Sequence, residues 1–246
     1  MGITAILLFL AFANPPDPHL ERVKNELAGR FGFPRHVVDS LFSDPRLARY
    51  NRNDLLRRRF NWRRYTAEIL LSPSSVEAGW EYLREHREAF RFAEEYFGVE
   101  SAYLVSILRI ETDLGRNLGD YRVMNVFYTR LQEPARRAFA HRNLVALSTY
   151  CLIHRVDCYE IRGSHAGAIG LPQFLPATII EYGVDANGDG VENLFEVADA
   201  VASAANYLSA LGWRRNRMRA LALYYGSSRG YPEAVRRYAA ALGNID

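Results

Sequence analysis

Glu111 interrupts a segment that otherwise reads as a buried helix. In LVSILRIETDLG, residues 104–115, Leu104, Ile107, Leu108 and Leu114 lie three, four or seven residues from it and share its face at helical spacing. A carboxylate on such a face is costly unless it is paired, protonated or used. Asp113 sits two residues on, about 200° around the helix, so it faces elsewhere and leaves Glu111 alone. Two readings follow: a structural carboxylate with a hidden partner, or an acid whose pKa is raised for proton transfer.

A second constellation is DANGDGVENLFE, residues 185–196. Asp185, Asn187, Asp189, Gly190 and Glu196 fit the spacing of an EF-hand loop. Hard oxygens at positions one, three and five, with the Val191 carbonyl at seven, suit calcium, and glycine at six permits the turn. The alternative is a polar loop that only turns the chain. One such loop without a partner loop fits a structural brace better than a sensor. GSSRG, 226–230, matches a nucleophile elbow in spelling only: no strand precedes it, and the last histidine is His165, well before it. The histidines show no ligand spacing, so a catalytic metal is not expected.

These residues need helices to position them. Helical periodicity marks 19–29, 34–42, 53–60, 75–97, 100–114, 134–154, 175–182, 197–211, 216–225 and 231–242, with Gly or Pro between. Ser74 with Glu77 reads as a capping box for the helix beginning near 75. Alternating strand patterns are scarce, which makes the fold mainly α. The stretch 162–183 carries Gly163, Gly167 and Gly170, which let backbone approach a neighbouring helix or a ligand closely; Ser164 and Gln173 are its polar groups. Cys151 and Cys158 would lie about 10 Å apart on one continuous helix, too far for a disulfide. If the helix ends near His154, Cys158 can fold back to Cys151.

The chain has 246 residues, 49% hydrophobic and 24% charged, with net charge +3. That is the composition of a globular protein with a full core. Lys24 is the one lysine among 31 basic residues, so the positive charge is carried by arginine, which favours bidentate contact with carboxylates and phosphates. The arginine run within 52–65 could meet an anionic polymer or form a solvated helix face; no nucleic-acid partner is expected. Residues 3–12 are apolar and are followed by a small-x-small pattern, so 1–13 reads as a secretory signal, too short to span a membrane comfortably. The expected organisation is an export signal over 1–13, a linker and helical extension over 14–60, and a globular domain over 61–246.

Four motifs in order carry a resemblance. RIETDLG, GSHAGAIGLPQFLP, DANGDGVENLFEVADAVASAANYLSALGW and YYGSSRGY resemble soluble lytic murein transglycosylases of the B type over about residues 60–240. The resemblance implies a lysozyme-like α domain with one EF-hand-like calcium loop, and cleavage of peptidoglycan glycan strands between N-acetylmuramic acid and N-acetylglucosamine. It implies 1,6-anhydromuramoyl ends, a periplasmic or otherwise exported location, cell-wall remodelling proteins as partners and no cofactor for catalysis. Carried over by position, Glu111 is the single acid and base. Ser164, Gln173, Asn206, Tyr207, Tyr225, Tyr231, Arg136, Arg137 and Tyr65 are saccharide contacts. Asp185, Asn187, Asp189 and the Val191 carbonyl are calcium ligands. The resemblance completes the site with Asp199, whereas the simple loop pattern uses Glu196. Leu114 stands where the family often has an aromatic, and Pro172 where it usually has glycine, departures that bear on sugar preference more than on chemistry.

One carboxylate suffices for the implied reaction, because the sugar's C6 hydroxyl replaces water as nucleophile. Two other readings use the same residues. A goose-type lysozyme would keep Glu111 and deliver water, and a non-catalytic, calcium-braced wall-binding protein would keep Glu111 buried and paired.

Overall fold

The computed structural model describes residues 17–56, 60–226 and 230–243. The export signal read at 1–13 lies outside the described residues. Among the described residues, twelve α-helices and one two-stranded ladder surround two hydrophobic cores. No described helix is long and apolar enough to cross a membrane.

The first core is built by α4 (Pro73–Glu85), α5 (Arg87–Phe97), α6 (Ser101–Thr112), α10 (Val197–Ala210), α11 (Arg217–Tyr225) and α12 (Gly230–Gly243). Leu104, Leu108, Val201, Leu208, Trp213 and Tyr238 are fully or almost fully buried in it. The second core joins α1 (Pro18–Gly29) and α2 (Arg35–Phe42) to α7 (Val123–Leu131), α8 (Arg137–His154) and α9 (Pro176–Tyr182). Leu20, Val23, Leu27 and Val38 pack there with Phe127 and Leu144, so the helices expected as an extension supply part of a core. Asp17 caps α1 by accepting from the amides of His19 and Leu20.

Several local features differ from the sequence reading. The single helix expected over 75–97 is two, broken at His86 (φ −107°, ψ 26°). The cap of α4 is Ser72 rather than Ser74: its hydroxyl accepts from the Ser75 amide, and Pro73 follows as the first helical residue. Pro73 has no N–H to leave unsatisfied there. In place of the helix expected over 53–60 there is a 3₁₀ turn at Arg52–Leu55, followed by a short α3 (Trp62–Tyr65) that runs into a π-helical turn at Thr66–Leu70. The additional helix α7 is buried on nearly every side.

The α8 helix ends at His154, and Arg155 in the left-handed conformation turns the chain. That turn brings Cys158 back to form a disulfide with Cys151, with a Cα–Cα separation of 5.6 Å. The chain then pairs β2 (Arg162–Gly163) antiparallel to β1 (Tyr121–Arg122). Beyond β2, the loop of 163–175 joins the cores, with Leu171 in the first and Ile169 and Phe174 in the second. Its glycines face the protein's own atoms: Gly167, at φ +86°, meets the Phe127 ring where a Cβ would stand.

Candidate active site at the junction of the two cores

Glu111 projects from the last turn of α6, where this loop crosses the end of the helix. Thr112 Oγ1 donates to Leu171 O at 3.1 Å and accepts from Gly115 N, so one hydroxyl fixes helix, turn and loop. The turn that follows holds Asp113, Leu114 and Gly115 in succession at positive φ. Two of these are not glycine, a conformation that surrounding contacts must enforce. Asp113 is thereby directed away from Glu111, forming an ion pair with Arg109 at 2.8 Å, while Arg109 Nε donates to Ser75 Oγ. The sequence expectation for Asp113 agrees with this orientation, although a left-handed cap produces it rather than continued helix.

Glu111 keeps a partial opening to solvent, but its carboxyl is crowded by apolar and aromatic groups. Desolvation pushes its pKa up to about 7, because removing water penalises the anion. The opposing influence is the Tyr231 hydroxyl, which favours the anion. That hydroxyl is buried and has no partner among the described residues meeting full hydrogen-bond geometry, so its contact with Glu111 is a weak one. Among the described residues, no cation is among the groups that shift Glu111. Burial, with the Glu111 charge next in size, holds the Tyr224 and Tyr231 hydroxyls well above their ordinary pKa.

An aromatic wall rises beside this acid. Tyr225 and Tyr231 stack at 4.3 Å, and the Trp62 ring meets them edge-on at 5.3 Å and 5.5 Å. Gly230 has no side chain because Trp62 occupies the place of its Cβ. Tyr65 lies near enough to feel the charges of Arg109, Asp113 and Glu111, though burial is the larger cause of its raised pKa. Tyr224 donates to Pro172 O at 2.8 Å and contacts Tyr207 and Phe174. Gln173, at φ +53°, donates to Leu118 O and Gly170 O, which fastens the turn after α6 to the glycine-rich loop. Ser164 Oγ accepts from Ala168 N and closes the loop's first turn. Asn206 donates to Tyr182 O, beside the Tyr182–Tyr207 ring pair.

From Tyr225 a cleft of about 540 Å³ extends along Asn53, Asp54, Leu56, Phe60, Tyr121 and His165. Buried Arg130 binds its walls together by donating to Leu55 O and His165 O. Arg136 lies beyond that wall in an ion pair with Glu133, which also meets Arg52. Arg137 donates to Leu131 O and lines a different cleft. No ion pair or hydrogen bond among the described residues joins either arginine to Glu111. Sequence reasoning missed Trp62, Tyr224, Phe60, Tyr121, Asp54 and His165. The Tyr224–Tyr225 doublet and the Trp62-x-x-Tyr65 spacing were the available signals.

In the loop of 185–199 the oxygens are turned onto backbone amides. Asp185 accepts from Gly188, Asp189 and Gly190, and Asp189 from Val191. Fully buried Asp199 accepts from Ala186, Asn187 and Asn193. Glu196 is exposed and takes the side-chain amides of Asn187 and Asn193. Among the described residues no three His, Cys, Asp or Glu side chains converge as a metal cluster. The donor set is still all hard oxygen once Asn187 and the Val191 carbonyl are included, which fits calcium in type. Burial raises the Asp199 pKa and the Asp185 charge adds to it, a strain that a nearby divalent cation would relieve.

Residues 16–233 match the family model described as Transglycosylase SLT domain. The chain is 29% identical over 221 residues to membrane-bound lytic murein transglycosylase B of Escherichia coli strain K12, a match covering 82% of this chain and 59% of that protein. It thus spans about three-fifths of that relative's length. Among solved structures, the E. coli lytic transglycosylase SLT35 in complex with calcium superposes with TM-score 0.82 at 21% identity, covering 93% of each chain. SltB1 of Pseudomonas aeruginosa gives 0.81 at 24% identity over 92% of this chain and 98% of that one. SltB3 of the same organism, in complex with NAG-NAM-pentapeptide, gives 0.80 at 22% identity over 93% and 81%. These superpositions establish the lysozyme-like fold expected from the sequence.

Proposed function

The chain belongs to the transglycosylase SLT domain family, and on that premise we propose that it is a lytic transglycosylase acting on peptidoglycan with Glu111 as its single acid and base. The observation that carries this reading is a carboxyl without a cationic partner among the described residues, raised to about 7 by burial and flanked by the stacked Tyr225–Tyr231 pair. A pKa near the working pH is what general acid catalysis requires.

In the proposed reaction, protonated Glu111 gives its proton to the glycosidic oxygen while the bond from that oxygen to C1 of N-acetylmuramic acid breaks. The N-acetyl group of the same sugar can stabilise the cationic centre, as in substrate-assisted glycosidases. The C6 hydroxyl then closes on C1, and its proton passes to the Glu111 carboxylate. The acid is regenerated, no water is consumed, and the muramoyl end is a 1,6-anhydro sugar. Glu111 serves both halves because the nucleophile belongs to the substrate and is already close. Asp113, tied to Arg109, takes no part.

Tyr65, Tyr225 and Tyr231 would present ring faces and hydroxyls to the sugars. Ser164, Gln173, Asn206 and Tyr207 would shape the groove, chiefly by holding its backbone. Arg136 and Arg137 would meet the glycan strand or its peptide. We assign catalysis to 61–246, braced by the helices within 14–60, and export to the segment 1–13. Asp185, Asn187, Asp189 and the Val191 carbonyl would hold a structural calcium ion, with Asp199 or Glu196 as the last carboxylate. Calcium there would supply positive charge to a loop whose Leu194 O accepts from Leu171 N, and would brace the structure without taking part in bond cleavage.

Mass spectrometry of products from purified peptidoglycan tests the activity. The expected muramoyl ends are lighter by one water than hydrolysis products. Reducing ends would instead make the protein a hydrolase of the lysozyme kind, and the absence of any fragment would favour a wall-binding role.

A further inference from the structure

A second cleft, of about 510 Å³, lies between the start of α1 and the start of α8. Its lining is His19, Arg22, Leu131, Pro134, Arg137, Ala138 and His141. Two arginines and two histidines thus line one space, with no carboxylate among its described lining residues. The nearby acids are turned to other partners: Asp17 caps α1 and accepts from Gln132, and Glu26 holds His141 Nε2 at 2.7 Å and Arg30 at 3.0 Å. Arg137 spends its Nε on Leu131 O, and no hydrogen bond or ion pair among the described residues engages its terminal nitrogens. Arg22 is exposed and has no ion pair among the described residues. His19 Nδ1 is shut off from solvent and lacks a partner.

A planar guanidinium favours a carboxylate or phosphate through paired hydrogen bonds. The floor of Leu131, Pro134 and Ala138 adds a preference for an anion bearing a small apolar group. We propose that this cleft is an anion site for a small organic carboxylate. The cleft shares Arg137 with the substrate contacts proposed above, and its binding test does not use the reaction assigned to Glu111.

The test uses the full chain and three probes: N-acetylalanine, its uncharged amide N-acetylalaninamide, and inorganic phosphate. Amide NMR shifts report both position and affinity. N-acetylalanine should saturate and move resonances of α1 and of the start of α8, with the amide inert. Arg22→Gln, on an exposed helical position, should weaken binding about tenfold, roughly the loss expected for one charge-assisted contact, and added salt should weaken it further. Arg137→Gln provides the second variant and should act in the same direction. Shifts located elsewhere, equal binding of acid and amide, or affinity unchanged in both variants would overturn the proposal. Phosphate bound more tightly than N-acetylalanine would overturn the carboxylate assignment.

Discussion

Glu111 and Asp199 are both carboxylates whose pKa is raised by burial, and they differ in what meets their oxygens. Asp199 accepts three backbone amides that oppose the burial effect. Glu111 has one weakly held tyrosine hydroxyl and, among the described residues, no other group drawing it toward the anion. A carboxylate saturated by amides holds a loop together and is unavailable for proton transfer. One left nearly bare in an aromatic pocket can change its protonation state near neutral pH without disturbing the backbone. The count of partners, more than depth of burial, separates structural from reactive acid here.

The largest effect expected from breaking this contrast is at Glu111. Glutamine preserves the shape and removes the titrating proton, so Glu111→Gln should fold normally, retain glycan binding and lose on the order of 10²–10⁴ in turnover. Release of fragments from purified wall, measured beside glycan binding, checks both halves. Full activity in the variant would remove Glu111 from the mechanism.

At Asp199 the same kind of change should act on stability instead. Asp199→Ala leaves three amides without their acceptor, at a cost of about 1–3 kcal/mol for each that stays unsatisfied, and thermal unfolding should register a clear fall in Tm. If the loop binds calcium, chelation should lower the wild-type Tm, since an ion at a hundredfold excess over Kd contributes about 2.7 kcal/mol. Identical melting curves with and without chelator would remove calcium from the account.

These two regions were unequally legible in the sequence. Glu111 stood out because its apolar neighbours recur at helical spacing within one segment, and the 185–196 loop because its oxygens are contiguous. The aromatic wall was harder to read. Trp62 meets Tyr225 and Tyr231 from far away in the sequence, and that meeting is a matter of packing. Helix α7 escaped because Val123, Met124, Val126 and Phe127 are all buried, which erases the one-sided periodicity by which helices are recognised. The break at His86 carried no Pro or Gly signal. The disulfide depended on where α8 ends, and Arg155, which turns the chain there at φ +57°, is not a residue that announces a left-handed cap.

A smaller effect is expected at Tyr231. Its hydroxyl favours the Glu111 anion, so Tyr231→Phe should raise the Glu111 pKa further. Activity requires the protonated acid and declines as pH rises through that pKa. The alkaline limb of the pH–rate profile should therefore move upward, by less than one pH unit, with the ring stack retained. A downward displacement would contradict the role given to this hydroxyl.

The contrast is tested most directly by titrating the side-chain carboxyl of Glu111 in ¹³C-glutamate-labelled protein by NMR, with Glu111→Gln used to assign the resonance. The account predicts a midpoint near 7, well above the ordinary 4.5, and a midpoint at or below 4.5 would contradict it.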